Sequence, residues 1–301
     1  MEYDERMNYG TVDIEKILEA DDEIFETFQK YATTLFLTNF AKQFKNTLLI
    51  TVMFDMSCSF LKSSIFDAVQ NDGLFGAKVM FRSLIEHYFR FQYLANEWMR
   101  TNLDDNAELY IKFALAREDM DTIRASVSSF KMYYPNIEIP TWSELMLSVD
   151  SLKDIDKNKI DQESRKYSLK SILRYMSEEI LKNESGKELS IIDSLLHEYA
   201  ALSSYTHGGI GAHFESLNLG NHDKRLKEYE RIAGLTFHMA NSVKLFSTLM
   251  YYQTDKEPFG EYYNSINKTL KKSIKNSPNI AATSTGLGRL RGCTRSAQIK
   301  K

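Results

Sequence analysis

Proline distribution constrains this chain most. Its 301 residues hold four prolines, Pro135, Pro140, Pro258 and Pro278. They leave two long proline-free stretches, 1–134 and 141–257. Proline lacks a backbone N–H and clashes with the preceding helical turn, so it gathers where helices stop. With only 13 glycines as well, the chain is short of the turn residues that sandwiches, barrels and Rossmann sheets need at close intervals. The pattern predicts an all-α fold, a helical bundle of about seven to eight helices with a flexible C-terminal tail.

Composition supports a packed core. The chain is 43% hydrophobic and 26% charged, too apolar for a disordered polymer. Cys58 and Cys293 lie far apart and form no C-x-x-C pair, which excludes a disulfide scaffold and a thiolate zinc site and suits a reducing cytosol. The acidic start MEYDERMNYG lacks an apolar h-region, so a soluble, cytoplasmic protein without a signal peptide is expected. The most apolar run, Thr47 to Leu61, carries Asp55 and is bounded by Lys45 and Lys62. That reads as a buried core helix and not a membrane span, so no membrane is expected as a partner.

Apolar periodicity predicts helices over residues 13–31, 34–70 (long or broken), 75–99 and 104–127. Asn71-Asp72-Gly73 signals a turn. Residues 128–140 read as an aromatic loop folded back on the bundle, 142–152 as a helix, and the polar run KDIDKNKIDQESRK as an exposed excursion. Helices follow at 168–182, 188–206 and 222–254, with a glycine-punctuated loop at 208–221 and a flexible tail from Ser277. The organisation expected is an acidic N-terminal helix (1–32), a bundle domain (33–257) and a basic C-terminal segment (258–301). Residues 1–26 hold ten acids against two bases, and 262–301 hold nine bases and no acid. Such ends either screen each other or recruit a partner.

Two polar constellations stand out. In MFRSLIEHYFRFQYL, Arg82 and Glu86 are one turn apart on an apolar helix, where charges need partners. They form either a pair that fixes helix register or part of a site. In YAALSSYTHGG, Ser203 and His207 are also one turn apart, and His207 precedes Gly208, where the helix stops. A histidine there is either a C-terminal cap favoured by the helix dipole or a functional group. Asp55 also needs a donor, for which Arg82 and His207 are the candidates.

The patterns Arg-Ser-x-x-Glu with a later Tyr93-Leu94, and Tyr199-x-x-Leu202-Ser203-x-x-x-His207, resemble a widespread family of uncharacterised, mostly bacterial all-helical proteins known only as a domain of unknown function. The resemblance covers roughly residues 35–250. It implies a helical bundle with both motifs facing inward, Arg82, Glu86, Ser203 and His207 as the recurring polar positions, and no settled activity.

A second resemblance rests on arginine–histidine spacings. Arg82-x4-His87 and Arg231-x6-His238 fit the R-x4–6-H motif of HEPN ribonucleases, helical bundles common in bacterial toxin and antiviral defence systems. It implies a homodimer whose arginine and histidine line a cleft, steer an RNA phosphate and shuttle protons for 2′-hydroxyl attack. On a helix, however, His87 points about 140° away from Arg82, whereas Arg231 and His238 share a face. His238 also lies among Leu235, Phe237 and Met239, where a core histidine is the ordinary reading.

His207, His213 and Glu215 fall close together but match no spaced ligand motif, so neither a metal nor a cofactor is expected. No P-loop, G-x-G-x-x-G or G-x-S-x-G is present. Two readings follow. One is an interaction or regulatory module of a defence or toxin-like system, with a protein partner or self-association. The other is a HEPN-like metal-independent ribonuclease acting on RNA with Arg82, Glu86, Ser203 and His207, or with Arg231, His238 and His87.

Overall fold

A computed structural model describes residues 14–275, apart from 137, 139–140, 148, 151, 154–155, 184–190 and 219–221. The expected tail from Ser277 and residues 1–13 lie outside the described residues. The helices are α1 (Ile14–Leu35), α2 (Asn39–Gln43), α3 (Lys45–Gln70), α4 (Leu74–Thr101), α5 (Asp105–Tyr133), α6 (Trp142–Leu147) and α7 (Lys157–Ser164). After a single 3-10 turn at Arg165–Tyr167 come α8 (Leu169–Asn183), α9 (Ile191–Ala201), α10 (Ser203–Thr206), α11 (Ile210–Asn218), α12 (His222–Thr254) and α13 (Lys256–Lys275). No strand occurs among the described residues, so the fold is all-α.

The axis of the bundle is α12, which α3, α4, α13 and α1 surround. Nearly every side chain from Glu228 to Tyr251 is buried, which is why its sequence shows no clean polar face. One apolar core runs from Ile17 and Ile24 of α1 through Phe81, Leu84 and Phe89 of α4 to Leu270 of α13. The acidic and basic helices at the two ends therefore join the central bundle. They pack on each other, with Tyr31 stacked on Tyr262 at 5.3 Å. A smaller cluster of Ala116, Met120, Leu152 and Ile160 ties α7 to α5.

Two helix starts are capped from far along the chain. Asp104 accepts from the backbone N–H groups of Asn46 (3.0 Å) and Thr47 (2.7 Å) at the start of α3. Asp255 does the same for Asn39 (3.1 Å) and Phe40 (2.8 Å) at the start of α2. Each carboxylate satisfies orphan donors and meets the positive end of a helix dipole. The expected turn at residues 71–73 is present, with Asp72 at φ 58°, and the Tyr229 hydroxyl donates to the Asp72 carboxylate at 2.6 Å.

Three expectations for the connecting segments are corrected. Residues 128–133 continue α5, and Phe130, Met132, Tyr133 and Tyr134 stay exposed without folding back. The run KDIDKNKIDQESRK contains α7, because Asp156 caps it through the backbone N–H of Asn158 (2.9 Å) and Lys159 (3.1 Å) and Ile160 is buried. The glycine-punctuated stretch holds α11, since Gly208 (φ 63°) ends one helix and Ala212 anchors the next in the core.

Candidate functional site

Lys78, Arg82 and Glu86 recur every fourth residue along α4 and so form one stripe. The stripe faces α9, α10, α11 and α12. Tyr199 of α9 lies across Arg82, whose guanidinium carbon is 4.4 Å from the ring centroid. Arg82 Nη2 donates to the Tyr199 hydroxyl at 2.6 Å, and that hydroxyl donates to Glu86 Oε1 at 2.8 Å. Arg82 Nη1 also reaches Glu86 directly at 3.2 Å. Burial and the Glu86 carboxylate push the Tyr199 hydroxyl above its ordinary pKa, so it remains a donor.

One turn earlier, Lys78 is almost fully buried. It pairs with Glu228 of α12 at 2.8 Å and with Glu215 of α11, and donates to Tyr205 of α10 at 3.3 Å. Burial works against its charge, but Glu228 and Glu215 reverse that and hold it above the ordinary lysine range. Arg231 grips Glu228 through Nε and Nη2, both at 2.8 Å, and reaches Glu198 of α9 at 2.5 Å. Burial opposes the Glu228 charge too, yet Arg231 and Lys78 pull its carboxyl down to about 2. The result is a charged seam that fastens α9, α10 and α11 to α4 and α12.

Arg82 and Glu86 therefore meet as expected, with Tyr199 between them. Ser203 and His207 do not join them. The Ser203 carbonyl accepts from the His207 N–H at 3.2 Å and from the Thr206 hydroxyl at 3.0 Å, and His207 is the exposed C-cap of α10. Here the Ser-x-x-x-His spacing is a helix end. Gly209 is required beside it, because a Cβ would lie 2.9 Å from that of Ser204.

Asp55 takes neither expected donor. Lys244 of α12 pairs with it, donates to the Ser59 hydroxyl at 2.7 Å and lies 5.1 Å from the Phe28 ring centroid. Nearby, Lys62 pairs with Asp21 of α1 at 2.5 Å, and Asn241 donates to Asp21 at 2.9 Å. Two balanced ion pairs thus lock α1, α3 and α12 together.

The arginine–histidine pairs are also placed. His87 lies on another face of α4 from Arg82, bonded to the Ser83 carbonyl at 2.8 Å and edge-on to Phe54. Arg231 is taken by two glutamates, while burial pushes the imidazole of His238 down to about 4, which keeps it neutral.

Among the described residues no three His, Cys, Asp or Glu side chains gather to hold a metal. His213 stacks on Phe75 at 6.3 Å, and Glu215 is committed to Lys78. An internal void lined by Thr47, Thr51, Trp98, Asn106 and Met250 measures about 10 Å³, too small for a substrate.

Lys78, Glu198 and Glu228 complete the seam without having stood out in the sequence. The signals were present: Lys78 stands four residues before Arg82, and Glu228 three before Arg231. Comparison with protein-family models, curated proteins and solved structures finds no match.

Proposed function

We propose that this chain is a protein-binding module that presents α11 to a partner, with the charged seam as its mount. The observation that carries the reading is the outer face of α11. Ile210, Phe214 and Leu217 are 73%, 60% and 76% exposed, spaced four and three residues apart on one side of the helix. The opposite side is fixed by buried Ala212 and by Glu215 on Lys78. A rigidly held helix with an apolar i, i+4, i+7 face fits the groove of another protein. Single exposed apolar residues are ordinary, but three aligned on a nine-residue helix form a patch.

The ribonuclease reading draws less support. It needs an arginine and a histidine open to a cleft, and both motif arginines are held inside the seam. Arg82 is shared by Tyr199 and Glu86, and Arg231 by Glu228 and Glu198.

The test is affinity capture from the native source with wild-type protein and with Phe214→Asp/Leu217→Asp as baits of equal melting temperature. A protein held by the first and lost by the second is the expected result. Identical captures would sink the reading. So would RNA cleavage by pure protein that Arg82→Met or Arg231→Met abolishes.

A further inference from the structure

The solvent side of α3 carries no polar interruption for three turns. Leu49, Met53, Met56 and Phe60 are 48%, 53%, 53% and 67% exposed. Their spacing is 4-3-4, the seam of two helices packed knobs into holes. The same stripe begins at exposed Lys45 and ends at exposed Asp67. At about 100° per residue, all six positions fall within roughly 80° of the helix surface.

The two end charges have the wrong sign for their own helix. A helix favours acids in its first turn and bases in its last. The first turn of α3 holds no acid and the last no base. Instead Lys45 is its first residue and Asp67 lies in its last turn.

We propose that α3 is the contact between two copies of this chain, packed antiparallel about a two-fold axis at Met56. Residue 56 is midway between 45 and 67. An axis there sets Lys45 over Asp67 of the second copy at both ends of the seam. Each charge then also meets the complementary end of the other copy's helix dipole. Met56 packs on Met56 of the second copy, Met53 comes level with the second copy's Ser59, one residue from its Phe60, and Leu49 comes level with Ser63. A parallel pair would instead oppose lysine to lysine and aspartate to aspartate. The contact is isologous, as a two-fold dimer requires. It uses a different helix from the one presented to a partner in the reading above and does not depend on that reading.

The inward side of α3 decides against lipid as the occupant. The helix is long and apolar enough to cross a bilayer, but it buries Asp55 and Lys62 in ion pairs with α12 and α1. The stripe is about 33 Å long and one helix wide, a small interface, so association in the micromolar range is expected.

The test is sedimentation of full-length protein over a concentration series that spans this range. Wild type should show a monomer–dimer equilibrium. Lys45→Glu and Asp67→Lys should each weaken it by about tenfold or more, since each creates two like-charge contacts. Lys45→Glu/Asp67→Lys should restore it. Asp104 already caps the start of α3, where Lys45→Glu adds a second acid, so circular dichroism and a urea melt check that each variant keeps its fold. The Phe214→Asp/Leu217→Asp variant should dimerise normally. A monomer throughout, a dimer indifferent to the single substitutions, or no rescue by the swap overturns the proposal. So does co-sedimentation of wild type, but not Met53→Asp, with phosphatidylcholine vesicles.

Discussion

Glu228 and Arg231, one turn apart on α12, are joined by two parallel hydrogen bonds of 2.8 Å each. Lys78 reaches the same carboxylate from α4, so one buried acid holds two cations. Such an acid is costly to remove, because its partners stay behind in a low-dielectric interior. Glu228→Gln should lower stability by about 3–5 kcal/mol in urea unfolding at neutral pH. The wild-type carboxyl, at about 2, lies below the ordinary value of 4.5. Its stabilisation is therefore complete above about pH 4.5 and is lost as pH falls toward 2. The variant should lose the part of the acid sensitivity that falls in that window.

His238 supplies a second pH dependence at milder acidity. Burial lowers its pKa from 6.5 to about 4. Between those values the unfolded chain binds a proton that the folded chain refuses, so stability falls as pH drops from about 6.5 to 4. The difference amounts to about 3 kcal/mol. Between pH 7 and pH 4 wild type should lose about 3 kcal/mol more stability than His238→Phe, so the two curves draw apart as pH falls. Parallel curves would refute the assignment.

Asp55 and Lys244 make each other's burial tolerable. Asp55→Asn and Lys244→Met should each cost about 3–5 kcal/mol, since each strands one buried charge. The double variant should lose less than the sum, with a coupling of about 1–3 kcal/mol in a double-mutant cycle. Additive losses would show that the pair is not a unit.

Tyr199 bridges Arg82 and Glu86 through its hydroxyl alone. Tyr199→Phe keeps the ring against the guanidinium and removes both charge-assisted bonds. Hydrogen bonds to charged groups contribute about 1.5–3 kcal/mol. A loss of that size in thermal or urea unfolding is expected; an unchanged stability would reduce the bridge to packing.

The long helices were legible because proline spacing and apolar period both act locally. Residues 14–35, 74–101 and 222–254 are helical close to where periodicity places them. The short helices were not. Residues 157–164 read as polar excursion because a single apolar residue, Ile160, anchors α7. The stretch 210–218 reads as loop because glycines punctuate it, while Ile210, Phe214 and Leu217 face outward and Ala212 turns in. A helix that contributes one or two residues to the core leaves little periodic signal.

Half of the candidate site was legible for the same reason. Arg82 and Glu86 lie one turn apart, so their pairing is written in local spacing. Lys244 and Asp55 lie 189 residues apart, and Asp104 caps the start of α3 at Asn46 from 58 residues further along the chain. Local spacing alone marks this chain as a helical bundle, shows which buried charges need partners, and shows which stretches are too apolar to stand alone. Which charge meets which, that His207 caps a helix apart from Arg82, and which apolar faces remain outside are settled by the folded packing of the helices. Those outcomes depend on how helices cross and at what register, and that is set by the packing of whole side-chain surfaces that no local spacing encodes.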